Sequence, residues 1–373
     1  MSIDQKSLKD LFKKMEEINP FSSSLAENRL SNVEPDEWLD SGCAAFNLSI
    51  SGHPERGIPK GRIAIFAGES QSGKTFILNR LIKDSLSKGM QPIIFDSEHD
   101  KSSDMMTNMG IDPFAVRSNP VLSLEDLGKQ VYAVLNWIKE RKDMWGKFFL
   151  AVDSLGALAS LKQVSDYEKN KDANDMGLNA KVINNMIKIW TPVAAITKTP
   201  IVVINHVYDD PAAFMPSKVK KMPGGKKLYY LASISVQFSA SKELDEKQES
   251  SSDSVKYNGT VLKFFVIKNR FMVPYVEGQA YLNFKTGLER YSGLIDTAEA
   301  NNVVFKEGRT YFLSDTKEKL GQYNDFKNSD EIWSKILPKL TDIIQKKYAY
   351  MKETQSFIEE PEFDDETSPQ TEE

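Results

Sequence analysis

A single cysteine, Cys43, stands in 373 residues, which excludes an intrachain disulfide framework and a cysteine-rich metal site. Three histidines, His53, His99 and His206, are too few and too scattered for a zinc centre. No stretch approaches the roughly 18 consecutive apolar residues of a membrane span. The opening MSIDQKSLKDLF is charged from Asp4 onward and holds no secretory apolar core. These absences predict a soluble protein of a reducing cytoplasm, without a membrane partner. Lys and Arg are also missing after Lys352, where Glu353, Glu359, Glu360, Glu362, Asp364, Asp365, Glu366, Glu372 and Glu373 follow. The formal net charge of -5 therefore hides a mildly basic body behind an acidic tail. Such a split points to a polyanion partner and a competitor for its site; the plainer reading is a disordered, solubilising tail.

What is present begins with GESQSGKT, residues 68–75, between an apolar run (IAIFA) and a helical pattern (FILNRLIK). That context marks a phosphate loop. Gly68 and Gly73 let the backbone curl, so that N–H groups of Glu69, Ser70, Gln71 and Ser72 face phosphate oxygens at a helix N-terminus. Lys74 reaches the outer phosphates of ATP, and Thr75 offers its hydroxyl to Mg²⁺. Downstream, KFFLAVDS ends an apolar run in Asp153, placed to hold the Mg²⁺ shell or else to cap the next helix. QPIIFDSE ends in Glu98, at the strand end where ligands of open α/β sheets bind. There it can orient and deprotonate a water, the alternative being an exposed loop acid.

The fold class follows from alternation. GRIAIFAG, QPIIFDSE, KFFLAVDS and PIVVINHV are separated by amphipathic stretches such as AKVINNMIKIWTPVAAITK. This predicts an α/β core with a mostly parallel sheet flanked by helices. ISVQFSAS and VLKFFVIKN follow with little helix between them, so that edge is open to being antiparallel. Ahead of the core, Leu8, Leu11, Phe12, Met15 and Ile18 share a helical face that Pro20 ends. That helix folds onto its own core or docks onto a neighbouring subunit. The expected divisions are 1–36 (helix and linker), 37–295 (core), 296–352 (a small helix-rich piece) and 353–373 (tail). Residues 241–259 read as a polar hairpin tip.

Two segments, about 162–180 and 208–228, show neither strand nor helix character. In the second, Lys218, Lys220, Lys221, Lys226 and Lys227 supply cations, Gly224 and Gly225 expose N–H groups, and Phe214 and Met215 form an apolar wedge. Charge for phosphates beside apolar groups for bases suits single-stranded nucleic acid, bound without sequence readout and weakened by salt. A solvated lysine loop is the bland alternative. Lys181 and Lys188, seven apart, share a helix face and add phosphate contacts.

SGCAAFNLSISG, GESQSGKT, FDSEHD, LAVDSLGAL, NDMGLNAK, VVINH and MPGGKKL, in this order over about residues 35–295, resemble a RecA-type recombinase. The lead-in and VVINHVYDDPAAF look most like the UvsX branch of that family, from T4-like phages. The resemblance implies a RecA-like P-loop ATPase core, phosphate contacts at Gly73, Lys74 and Thr75, Mg²⁺ at Asp153 and hydrolysis through Glu98. It puts His206 at the γ-phosphate sensor position, where RecA has glutamine. Lys268 and Arg270 of IKNR match a basic pair that reaches a neighbour's γ-phosphate across a subunit interface. Met105 stands where the family often presents an aromatic to adenine, which puts base selectivity in doubt. The two segments match the DNA-binding loops, with Met176 beside Gly177 inserting near unstacked bases.

The implied activity is a DNA-dependent ATPase that forms helical filaments on single-stranded DNA and exchanges strands with homologous duplex DNA, in recombination, repair and recombination-dependent replication. Implied partners are further copies of the chain, head to tail, with a loading mediator and a single-strand-binding protein, in the cytoplasm of a bacterial host cell. The rival expectations are a hexameric DNA helicase on the same core and a weakly hydrolysing recombination mediator.

Overall fold

The computed structural model describes residues 4–24, 37–99, 103–169, 176–209, 219–244 and 257–348. Helix α1 (Gln5–Ile18) is capped by Asp4, whose carboxylate accepts from the N–H groups of Lys6 and Ser7. A short antiparallel pair, β1 (Trp38–Leu39) and β2 (Ile58–Pro59), brackets helix α2 (Ala44–Ser51). Strand and helix then alternate through β3 (Ile63–Gly68), α3 (Lys74–Ser87), β4 (Gln91–Asp96), α4 (Ser103–Asn108) and β5 (Arg117–Pro120). Helix α5 (Leu124–Lys139) leads to β6 (Phe148–Asp153), and helices α6 (Leu161–Glu168) and α7 (Met176–Thr197) lead to β7 (Ile201–Asn205). After helix α8 (Gly225–Leu231) come β8 (Ile234–Leu244), β9 (Tyr257–Asn269), β10 (Glu277–Asn283) and β11 (Gly287–Leu288).

These strands form one nine-stranded sheet in the order β11-β10-β9-β8-β3-β7-β6-β4-β5. From β8 to β5 every pairing is parallel, and β9, β10 and β11 add an antiparallel edge. All six residues of β3 are buried, as expected of a strand covered on both faces. Its side chains alternate between two cores. Ala64 and Phe66 pack with Phe46, Phe238 and Phe264 on the α2/α3 face, while Ile63, Ile65 and Ala67 pack with Leu127, Leu135 and Trp190 under α5 and α7. The expected α/β architecture with a mostly parallel sheet is what the chain adopts.

Beyond the sheet lie helix α9 (Leu294–Ala300), strands β12 (Val304–Glu307), β13 (Thr310–Leu313) and β14 (Lys319–Gly321), and helices α10 (Tyr323–Phe326) and α11 (Asp330–Tyr348). The C-terminal piece thus carries, besides its helices, a three-stranded antiparallel sheet that the sequence pattern does not announce. Strands of three or four residues are too short for a period-2 signal. Trp333, Phe326 and Tyr311 of this piece belong to the same buried cluster as Phe46 of α2.

The two lysine-bearing segments are corrected as well: each contains helix. Residues 162–168 lie in α6, started by a capping box in which the Ser160 hydroxyl accepts from Gln163 N–H and the Gln163 side chain accepts from Ser160 N–H. Helix α7 begins at Met176, and α8 at Gly225. The linker at 25–36, the centre of the polar tip at 245–256 and the tail at 353–373 lie outside the described residues. Among the described residues no helix is long and apolar enough to cross a membrane.

Candidate nucleotide site and nucleic-acid interface

β3 delivers the chain to Gly68 at the sheet's carboxyl edge, and α3 leaves again from Lys74. Both glycines are dictated by space. A Cβ on Gly68 would meet the Phe238 carbonyl oxygen and Ser72 Oγ at 2.6 Å, and one on Gly73, at φ +90°, would meet the Leu262 side chain at 2.7 Å. Gln71 also takes a positive φ of 61°. The N-terminus of α3 opens into the concavity so formed. Lys74 is buried, and its Nζ donates to the Glu69 carbonyl oxygen at 2.5 Å and Ser72 Oγ at 3.4 Å. Burial pushes its pKa down, against the opposing pull of Asp153, Glu98 and Glu69.

Thr75 Oγ1 donates to Asp153 Oδ2 at 3.4 Å. These two oxygen groups are a partial donor set. That suits Mg²⁺, which takes one or two protein ligands and fills its shell with phosphate oxygens and water. Among the described residues no group of three or more His, Cys, Asp or Glu side chains is placed to hold a metal. Amide N–H groups and an ammonium around a concavity, with a hydroxyl and a carboxylate at its rim, fit a nucleoside triphosphate with Mg²⁺.

Glu98 sits beside Asp153 because β4 and β6 are neighbours, with Asp96 level with Asp153. Asp96 Oδ1 accepts from the N–H groups of Glu98 (3.1 Å) and His99 (3.0 Å), which shapes the turn after β4. One Glu98 oxygen, Oε1, accepts from Ser154 Oγ at 2.6 Å and lies 2.8 Å from His206 Nε2. Ser97 braces the arrangement: its Oγ donates to the Ser154 carbonyl at 2.6 Å and accepts from Ser154 N–H at 2.9 Å. Asn205, buried at the end of β7, accepts from His206 N–H at 3.1 Å and donates to the Pro223 carbonyl at 2.9 Å. Sequence reasoning missed Ser97, Ser154 and Asn205. Their only signal is a polar residue at the carboxyl end of an apolar run. Met105, on α4, has four-tenths of its surface exposed.

Lys181 and Lys188 are both exposed on α7, and Gly177 is exposed at its start. Lys221, Lys226 and Lys227 are exposed around the start of α8. Gly224, at φ +91°, packs against Leu228 and Ile183, whereas a Cβ on Gly225 would meet open space. Lys220 is half-buried, and its Nζ bonds the Glu69 side chain and lies 3.2 Å from Asp209. Phe214, Met215 and Lys218 lie outside the described residues, as does the side chain of Met176.

Lys268 and Arg270 are set back from this chain's phosphate loop along the sheet. Lys268 pairs with Ser235 of β8, level with Ile65, three residues (about 10 Å of strand) before Gly68. Its Nζ bonds the carbonyl oxygens of Tyr230 and, at 2.7 Å, Ala232. Burial and the charge of Arg270 push its pKa down to about 8. Lys268 lines a pocket of about 750 Å³ with Tyr208, Met222, Tyr229, Tyr230 and Ile267.

Comparison with known proteins agrees with this geometry. The chain is 26% identical over 296 residues to Protein RecA of Mycoplasma mobile, covering 78% of this chain and 83% of that relative. It is 24% identical over 320 residues to Protein RecA of Bacteroides thetaiotaomicron, covering 85% and 90% of the two chains. Residues 23–289 match the model of the RecA N-terminal domain. That match starts ahead of the phosphate loop, runs past the last strand of the central sheet and takes in more than half of the chain, which therefore belongs to the RecA N-terminal domain family.

Proposed function

We propose that this chain is an ATP-dependent homologous-recombination protein that assembles head to tail on single-stranded DNA and promotes pairing and strand exchange with a homologous duplex. The observation that carries the reading is the separation of two halves of one site. Lys74 and Glu98 stand at one end of the sheet, and Lys268 and Arg270 toward the other. In this reading the two groups form one site only when a second copy brings them together. Repeated contacts of that kind, if their rotation does not close, build an open helix. Helix α1 supplies a further contact surface, with Leu11, Phe12, Met15 and Ile18 exposed along it.

In this reading the loop amides and Lys74 hold the triphosphate, and Thr75 and Asp153 hold Mg²⁺, which neutralises phosphate charge. Glu98 orients a water and takes its proton, with Ser154 and His206 fixing the carboxylate. His206 faces the γ-phosphate side and, through Asn205 and Pro223, lies on a bonded path to the second lysine segment. Lys181, Lys188 and the exposed lysines around α8 follow the DNA backbone. The lead-in at 41–52 and a histidine at 206 support the UvsX branch of T4-like phages. With that branch go a bacterial host cytoplasm, a loading mediator and a single-strand-binding protein.

Electron microscopy with single-stranded DNA and a non-hydrolysable ATP analogue tests the reading. A continuous helical filament that requires the nucleotide is expected. Discrete six-membered rings would make the protein a helicase, and unordered particles a mediator. Removing residues 353–373 is expected to strengthen DNA binding, because nine carboxylates then no longer compete for the lysines. Unchanged affinity in a DNA titration would return the tail to a solubilising role.

A further inference from the structure

Lys220 belongs to the second lysine segment, yet its ammonium group rests on the phosphate loop. Its Nζ bonds Glu69 Oε1, across 151 residues of sequence, and lies 3.2 Å from Asp209. The backbone around it is anchored independently. Lys220 N–H donates to Gln237 Oε1 of β8 at 2.9 Å, and the Tyr229 hydroxyl donates to the Lys220 carbonyl at 3.0 Å. Tyr208 and Lys221 exchange two main-chain bonds, of 2.8 and 3.1 Å. Moving Nζ away from Glu69 therefore needs a side-chain rotation and no change in this scaffold.

Glu69 is an unusual residue for the mouth of an anion site, because its carboxylate repels a triphosphate. Two cations attend it in this structure, Lys220 at the carboxylate and Lys74 at the main-chain oxygen. Both attachments compete with phosphate. A triphosphate in the loop draws Lys74 off the Glu69 carbonyl and sets a denser negative charge beside the carboxylate that Lys220 holds. The Glu69 side chain is 64% exposed and that of Lys220 27%. A pair so accessible to water is weak enough to be exchanged for another anion.

We propose that the Lys220–Glu69 pair is an electrostatic latch between the phosphate loop and the second lysine segment. Without nucleotide it withholds Lys220 from DNA; nucleotide phosphates release it, and Lys220 then joins the DNA contacts. The latch rests on the reading that this chain binds ATP and single-stranded DNA, and it identifies one residue through which those ligands communicate.

The test is a double-mutant cycle on the full chain, read by fluorescence anisotropy of a labelled oligothymidylate at low salt. Each variant is titrated without nucleotide and with a saturating non-hydrolysable ATP analogue. Glu69→Gln should raise nucleotide-free affinity about two- to fivefold, the scale of an exposed ion pair, and give a smaller gain with the saturating analogue. Glu69→Gln with Asp209→Asn removes both negative charges beside Lys220 and should give the larger gain. In a Lys220→Gln background the gain from Glu69→Gln should vanish. With the analogue, Lys220→Gln should reduce the logarithmic salt slope by about 0.7, one phosphate contact on a single strand. An equal gain from Glu69→Gln in both nucleotide states, or one that survives Lys220→Gln, would mean general charge removal and overturn the latch. So would no gain from any acceptor variant while the unaltered chain shows ATP-dependent DNA binding. If the unaltered chain binds no DNA in either state, the functional reading itself falls, and the latch with it.

Discussion

Replacing Glu98 by Gln is expected to leave ATP binding intact and to lower the proposed DNA-dependent hydrolysis by about two to four orders of magnitude, the usual contribution of a positioned general base. The substitution is close to isosteric, and the amide oxygen still accepts from Ser154 Oγ, which donates to Glu98 Oε1 at 2.6 Å. The negative charge and, with it, the capacity to take a proton from water are lost. Phosphate-release kinetics with saturating single-stranded DNA, beside direct titration with a fluorescent ATP analogue, separate the two effects. Turnover that survives in the variant would move the catalytic role to another residue on this edge of the sheet.

If the pair acts in trans as proposed, Lys268→Ala combined with Arg270→Ala is expected to lower turnover by about three to five orders of magnitude, the scale of losing a trans arginine finger. The effect is expected although the Lys268 ammonium bonds main-chain oxygens of its own chain, those of Tyr230 and Ala232. Mixing distinguishes a trans role from a structural one. Chains with Lys74→Ala keep their cations, and chains with the double substitution keep their phosphate loop. Random head-to-tail assembly of the two restores about one quarter of the junctions, so a mixture of two inactive proteins regains activity. No recovery would confine both side chains to the structure of their own protomer.

The low pKa of Lys268, about 8 in the single chain, adds a pH signature. As pH rises through that value the amine loses its proton and the cation offered to a neighbour's phosphate disappears. The alkaline limb of kcat/KM should therefore lie near 8, and Lys268→Arg should move it upward, since guanidinium stays protonated. A limb that does not move would assign the titration to another group.

Much of the architecture was legible before any coordinate. IAIFAG, QPIIFD, FFLAVD and IVVIN became β3, β4, β6 and β7, because a continuous apolar run between amphipathic stretches has few other ways to be buried. Helix α1 was equally plain from its spacing and from Pro20. The lysine-bearing segments misled because their composition is that of a loop. Even so, Ser160 and Gln163 carry the capping box that starts α6, a signal present in the chain and outweighed by the surrounding charge. The small sheet of β12, β13 and β14 escaped because its pairings, not its local patterns, define it.

The sequence by itself determined the phosphate loop, the strand ends that carry Glu98 and Asp153, and the family, since each rests on local order along the chain. Tertiary structure alone decided which polar groups meet. Ser97 bonds Ser154 across 57 residues, Glu98 lies against His206 across 108, and Lys220 reaches Glu69 across 151. The order of strands in the sheet brings these pairs together, and that order is a property of the whole fold. The same order sets Lys268 level with Ile65, three residues before Gly68 along the sheet, a placement that no local pattern around IKNR announces.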